Sequence, residues 1–343
     1  MRRHARQRNW GARVREYVVQ GMRAVFLENE RLRIGILADK GTDLFELLYK
    51  PKDVDFAWLS ANGVQNPSVY AAANSDAVAT FVDTYPGGWQ EILPNGGAPS
   101  TYAGASYGQH GELSVVPWDY EVIEDGEREV AVRFTVVGRK SPFRVVKDVR
   151  LRAGDPAFSI EEVVENEGAS TTHLMWGHHI TFGPPFLRPG ARISLQNGVE
   201  VIPHAERLNR DRRRVAPDRG RWPLVAAEGG GELDLSLVPN PGEPSDIVYL
   251  AGFSEGRYEV LDPDGLGLRV EWDASVMPYL WFWQEFGATR GYPWYGRHYN
   301  IGLEPFTSYP TNGLEEAVRL GTALELDRGD RREFRISATV LEL

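Results

Sequence analysis

Glu304 stands in an apolar frame, Ile301-Gly302-Leu303 before it and Pro305-Phe306 after it. A carboxylate in such a setting is costly unless it is paired or put to use. Burial raises its pKa and makes it a proton acceptor near neutral pH. The surrounding stretch, residues 281–310, also carries Trp283, Gln284, Tyr295 and Arg297. Aromatic faces stack on the C–H face of a pyranose, and amides hydrogen-bond its hydroxyls. A structural alternative is a buried carboxylate satisfied by Arg297 or His298.

Three further segments offer chemistry. Residues 174–187 read LMWGHHITFGPPFL. On a strand, His178 and His179 point to opposite faces, so only one enters a given pocket and the two make poor joint metal ligands. Gly108-Gln109-His110-Gly111-Glu112 sets a histidine among small residues, where a ligand can approach or where the ring caps a turn. Residues 86–97, PGGWQEILPNGG, offer Trp89 and Asn95 as ligand-facing groups within a turn-rich stretch. A glycine-rich turn with a core tryptophan has the same appearance.

The elements that must position these groups are strands. Residues 129–137, EVAVRFTVV, follow Asp125-Gly126, the strongest short hairpin signal. Residues 143–151 and 158–166 repeat the pattern around Ala153-Gly154-Asp155-Pro156, and 324–326 and 334–341 flank Arg328-Gly329-Asp330. One short helix is expected at 313–320. No βαβ alternation and no GxGxxG after a strand is present, which argues against a dinucleotide fold. The pattern predicts an all-β chain, a large antiparallel β-sandwich, with residues 1–16 as a basic tail and 17–343 as one domain. The arginine-rich stretch 205–221 reads as a solvated loop.

Composition narrows the function. Of 343 residues 42% are hydrophobic and 25% charged, and the formal net charge is −10. That charge argues against a phosphate backbone as partner. There is no cysteine, so disulfides, thiolate metal sites and a cysteine nucleophile are excluded, and a reducing cytoplasm is the expected location. No apolar run is long enough for a membrane span, and MRRHARQRNW lacks the apolar core of a secretory leader.

Taken in order, these segments resemble the aldose 1-epimerase, or galactose mutarotase-like, superfamily over residues 20–343. Residues 32–50 (LRIGILADKGTDLFELLYK) are similar to its first strands, His110-Gly111-Glu112 with Pro117-Trp118 to its His-Gly element, and 155–182 to its strand pair ending in His-x-x-Phe. Phe182 lies three after His179, so that register selects His179 over His178. Residues 299–310 resemble the segment bearing the family's glutamate in a Leu-Glu-Pro context. The resemblance implies a β-supersandwich with an open sugar cleft and no metal or organic cofactor. It implies Glu304 as the base on the anomeric hydroxyl, His179 as the acid toward the ring oxygen, and His110 as a sugar contact. One departure stands out: the family's arginine before the His-Gly element is replaced by Trp89-Gln90-Glu91.

The expected function is therefore sugar anomer interconversion. Glu304 and His179 are the expected catalytic groups, and His110, Asn95, Trp89, Gln284, Trp283, Tyr295 and Arg297 the expected substrate contacts. The alternatives are another sugar isomerase, epimerase or lyase on the same fold, or a non-catalytic sugar-binding protein. A sugar-phosphate variant would need an arginine pair, for which Arg290 and Arg297 are the candidates.

Overall fold

A computed structural model describes residues 8–70, 76–209 and 211–343. Alternating patterns become antiparallel strands throughout. The expected strand at 129–137 forms as Glu129–Val137, its Val130, Val132, Phe134 and Val136 turned into the core. The other expected strands form as Phe143–Arg152, Ala157–Asn166, Leu324–Leu326 and Arg331–Glu342, and the helix as Leu314–Arg319.

Among the described residues, eight strands make one sheet, with Arg331–Glu342 and Ala157–Asn166 at its middle. Twelve strands make a second, larger one, and three two-stranded ribbons stand beside them. At the centre of the larger sheet lie four neighbours: Trp89–Ile92, Gly177–Phe182, Tyr299–Phe306 and Tyr279–Phe286. The two sheets pack face to face over one continuous apolar core, the arrangement that buries one face of each. The outer face of the larger sheet is itself covered at its centre. A second apolar cluster, including Phe81, Tyr85, Trp281 and Phe306, sits there. All six residues of Gly177–Phe182 are consequently buried.

Two expectations meet a different outcome. The sheet begins at Arg13, inside the stretch expected to be a basic tail; Arg13 pairs with Glu28, and Arg8 donates to Asp125 Oδ1 at 2.6 Å. Residues 1–7 of that expected tail lie outside the described residues. The arginine-rich stretch is not solvated throughout. The backbone N–H groups of Arg214 and Val215 both donate to Asp246 Oδ2 at 2.9 Å. Arg213 reaches the same carboxylate at 3.4 Å, and the Arg214 guanidinium lies over the Phe286 ring while bonding Gln284. Charge runs face water only where no buried carboxylate recruits them; Asp246, itself fully buried, does so here. No helix among the described residues is long and apolar enough to cross a membrane.

Candidate functional site

Strand register builds the site. Tyr299–Phe306 pairs with Gly177–Phe182 so that Gly177 meets Phe306 and Thr181 meets Gly302. That register brings His179 level with Glu304. On the other side Glu304 pairs with Trp281 and Gly302 with Trp283. Alternation then does the sorting. His179, Thr181, Gly302, Glu304, Trp281 and Trp283 share the outer face. Trp89, Glu91, His178, Ile180, Phe282 and Leu303 share the face toward the second sheet.

His179 Nε2 lies 3.7 Å from Glu304 Oε1, with the two side chains 7% and 2% exposed. They form the floor of a cavity of about 300 Å³. Phe81, Tyr85, His110, Trp283, Tyr292 and Trp294 are among the residues that line it. Glycine at 302 leaves room for this carboxyl, because a Cβ there would stand 2.2 Å from Glu304 Oε1. The Glu304 carboxyl therefore lies across its own strand's glycine, turned toward His179.

Electrostatics follow from burial. Desolvation raises Glu304 well above the ordinary carboxyl range. It pushes His179 down to about 3, partly opposed by a hydrogen bond to its own backbone. Both effects favour the uncharged forms, a protonated Glu304 carboxyl beside a neutral His179 imidazole. This differs from the expected carboxylate and imidazolium. His110 is also neutral, its pKa lowered by burial and by the neighbouring His179, whose ring centroid is 5.1 Å away. Gly97 N–H donates to His110 Nδ1 at 3.2 Å, which leaves the His110 proton on Nε2. His110 adopts φ 59°, in the left-handed region that histidine enters more readily than most side-chain residues.

Of the nine expected site residues, Glu304, His179, His110 and Trp283 line the cavity. The other five do not. Trp89 faces the second sheet, packs on Phe158 and donates to His178 Nδ1 at 2.8 Å. Asn95 is a backbone staple: its amide donates to Ala98 O and Gly108 O and accepts from Leu314 N–H. Gln284 lies one residue out of phase with Trp283 and accepts from Arg214. Tyr295 is 58% exposed, and Arg297 is exposed with its Nε 3.5 Å from Trp294 O. Neither Arg297 nor His298 reaches Glu304 as a satisfying partner; His298 Nε2 instead accepts from Ala61 N–H. Sequence reasoning missed Phe81, Tyr85, Trp294, Ser245 and Glu285 among the lining residues. Glu285 and Trp294 lie within the stretch 281–310 singled out above, and Tyr85 stands beside the Pro86-Gly87-Gly88 turn.

His178 belongs to a separate buried cluster behind the cavity. Glu91, Glu162 and His178 place ligand-type atoms within 4.8 Å of one another. A cation is already built in, because Lys147 Nζ stands 2.8 Å from Glu91 and 3.4 Å from Glu162. The Trp89 indole N–H points at His178 Nδ1, so the imidazole keeps its hydrogen on Nε2 for Glu162 Oε2 at 3.0 Å. Burial, and then the facing Glu162, push Glu91 up to about 7. These residues do not fit a metal while the ammonium holds the place.

Solved structures share this architecture. A "putative aldose 1-epimerase" from Klebsiella pneumoniae superposes with a TM-score of 0.74 at 17% identity, over 96% of this chain and 83% of the other. A galactose mutarotase-like protein from Clostridium acetobutylicum gives 0.65 at 13%, over 97% and 99%. One from Lactobacillus casei gives 0.56 at 17%, over 92% and 99%. No curated protein sequence matches significantly. Identities this low carry the fold, which is the galactose mutarotase-like β-sandwich. A family model described as "Domain of unknown function (DUF4432)" matches residues 19–221, more than half of the sequence, and the chain is a member of that family.

Proposed function

We propose that this protein is an isomerase that interconverts the anomers of a neutral sugar. The observation that carries the reading is the His179–Glu304 pair, 3.7 Å apart on neighbouring strands at the floor of an aromatic-walled cavity. With the proton on Glu304 at rest, His179 Nε2 takes the hydrogen of the anomeric hydroxyl while Glu304 gives its own to the ring oxygen. The C1–O5 bond breaks, and an open-chain aldehyde remains beside an imidazolium and a carboxylate. Rotation about C1–C2 turns the other carbonyl face to O5. The O5 hydroxyl then returns its hydrogen to Glu304, O5 bonds C1, and the imidazolium protonates the former carbonyl oxygen. Each positioned group supplies roughly 10²–10⁴ in rate. His110 Nε2–H is a ready donor to a sugar oxygen, and Trp283 offers a stacking face.

The wall also supports a substrate class. No lysine or arginine is among the described residues that line the cavity. Arg290 and Arg297, the candidates for a sugar phosphate, are not part of it. A free neutral aldose fits, and a phosphate or uronate finds no counter-charge. A cysteine-free chain suits a reducing cytoplasm.

The test is polarimetry and exchange NMR on freshly dissolved single anomers of neutral aldoses. Wild type accelerates the interconversion, and His179→Ala and Glu304→Gln each abolish the acceleration. Full activity in either variant defeats the assignment. Deuterium from solvent appearing at a sugar carbon points to C–H chemistry instead.

A further inference from the structure

Tyr85 is 1% exposed, and its hydroxyl belongs to a chain of polar groups directly behind His179. The chain starts at the Gly88 carbonyl, which accepts from both the N–H and the hydroxyl of Thr181, each at 2.9 Å. A carbonyl can only accept, so the Thr181 hydroxyl hydrogen is committed to it. Thr181 Oγ1 in turn accepts from the Tyr85 hydroxyl at 3.0 Å. That commits the one hydrogen Tyr85 has. Its oxygen faces His179 Nδ1 at 3.4 Å with only lone pairs left to offer. Each link fixes the direction of the next, and the hydrogen between Tyr85 and His179 must belong to the imidazole.

We infer that Tyr85 is a positioning residue of this site: with Thr181 and Gly88 it holds His179 in the tautomer protonated at Nδ1, leaving a bare Nε2 turned toward Glu304. The inference rests on the proton exchange proposed above, for which a bare Nε2 is the required starting form. The far end of the chain is rigid. Gly88 has φ 79°, and a Cβ on it would stand 2.3 Å from Leu44 O, so no other residue fits the turn that aims its carbonyl at Thr181. The Pro86-Gly87-Gly88 turn thus serves as the anchor of the tautomer lock.

The 3.4 Å contact is long for an N–H···O bond and weak at rest. It strengthens when Nε2 takes the substrate proton, because a charged donor makes a shorter and stronger bond. Tyr85 accordingly acts on the imidazolium stage and not on sugar binding. An interaction realised only along the reaction moves kcat and leaves KM in place.

The experiment labels the histidine rings of the full chain with nitrogen-15 and reads the protonation of His179 by long-range proton–nitrogen correlation. Wild type shows hydrogen on Nδ1 and a bare Nε2. Thr181→Val keeps the Tyr85 hydroxyl and removes its acceptor. The tyrosine hydrogen then turns to Nδ1, and the imidazole hydrogen moves to Nε2. Thr181→Ser restores the wild-type pattern. Tyr85→Phe lowers kcat about tenfold, the weight of one hydrogen bond, with KM within about twofold. A wild-type spectrum with bare Nδ1, an unchanged tautomer in Thr181→Val, or full kcat in Tyr85→Phe overturns the inference. If Thr181→Val does not fold, the wild-type spectrum and Tyr85→Phe decide. The spectra need no substrate. A tautomer switch in a protein inert toward every aldose defeats the proposed reaction and keeps the lock. Activity without the switch does the opposite.

Discussion

Glu304→Gln separates the use of this carboxyl from its cost. The amide has nearly the shape of the protonated acid but cannot pass a proton, so turnover drops by roughly 10²–10⁴. Stability moves the other way, and the sign follows from linkage. Burial raises the folded pKa of Glu304 above its ordinary 4.5. The stability that this carboxyl contributes is therefore fully present below pH 4.5 and is lost as pH rises toward the folded value. The loss runs at about 1.4 kcal/mol per pH unit. The glutamine variant escapes it. His179, held down at about 3, has the opposite slope between its ordinary 6.5 and the folded value, but it is common to both proteins and cancels in the difference. The variant should match wild type near pH 4.5 and gain on it as pH rises, until Glu304 ionises in the folded state. For a chain of 343 residues the average unfolding entropy makes that slope about 2 °C in Tm per pH unit. Calorimetric melting of both proteins over a pH series from 4.5 to 7 reads it directly. A constant gap, or a variant that loses ground as pH rises, would mean that Glu304 is ionised in the native state and that the neutral pair is wrong.

Two further outcomes test the surroundings. Gly302→Ala puts a Cβ 2.2 Å from Glu304 Oε1 and must displace the carboxyl from His179; anomerisation should fall at least tenfold while the circular dichroism of the sheets stays unchanged. Lys147→Ala leaves Glu91 and Glu162 facing each other without a cation and should cost roughly 3–5 kcal/mol in denaturant titration. In that variant alone, zinc should raise Tm and a chelator reverse the gain, because Glu91, Glu162 and His178 then have room for an ion. An equal response in wild type would show that the lysine does not fill the place.

The sequence made strands legible where one face is buried and the other wet. Glu129–Val137 alternates in just that way, and its expected bounds match. It was much less informative at the centre of the larger sheet. Trp89–Ile92 is buried at all four positions, so a period of two has nothing to reveal about which face is which. Trp89 looked like a stacking surface and proved to be core, because its pairing opposite Ile180 sets its direction and lies about ninety residues away. Asn95 and Gln284 failed for the same reason: an amide suited to a sugar hydroxyl is equally suited to a backbone N–H or a buried guanidinium. Tyr85 and Trp294 reach the cavity from turns whose course no local periodicity encodes.

His178 and His179 put that limit most sharply, since one residue step separates two kinds of chemistry. His178 faces the second sheet, where Trp89, Glu162, Glu91 and Lys147 satisfy every polar demand it makes. His179 faces the cavity, with a 3.4 Å contact to Tyr85 and a 3.7 Å approach to Glu304. The inner cluster is charged, paired and closed, which suits a fixed support for the strand. The outer pair is uncharged, loosely bonded and open to a ligand, which suits groups that must exchange a proton. A slip of one residue in the register of Gly177–Phe182 would exchange these environments. The histidine facing the cavity would then lack its Tyr85 partner, and the one inside would lack its carboxylate. The pairings of His178 with Glu91 and of Thr181 with Gly302 are thus the structural condition for the chemistry, as much as the identity of either histidine.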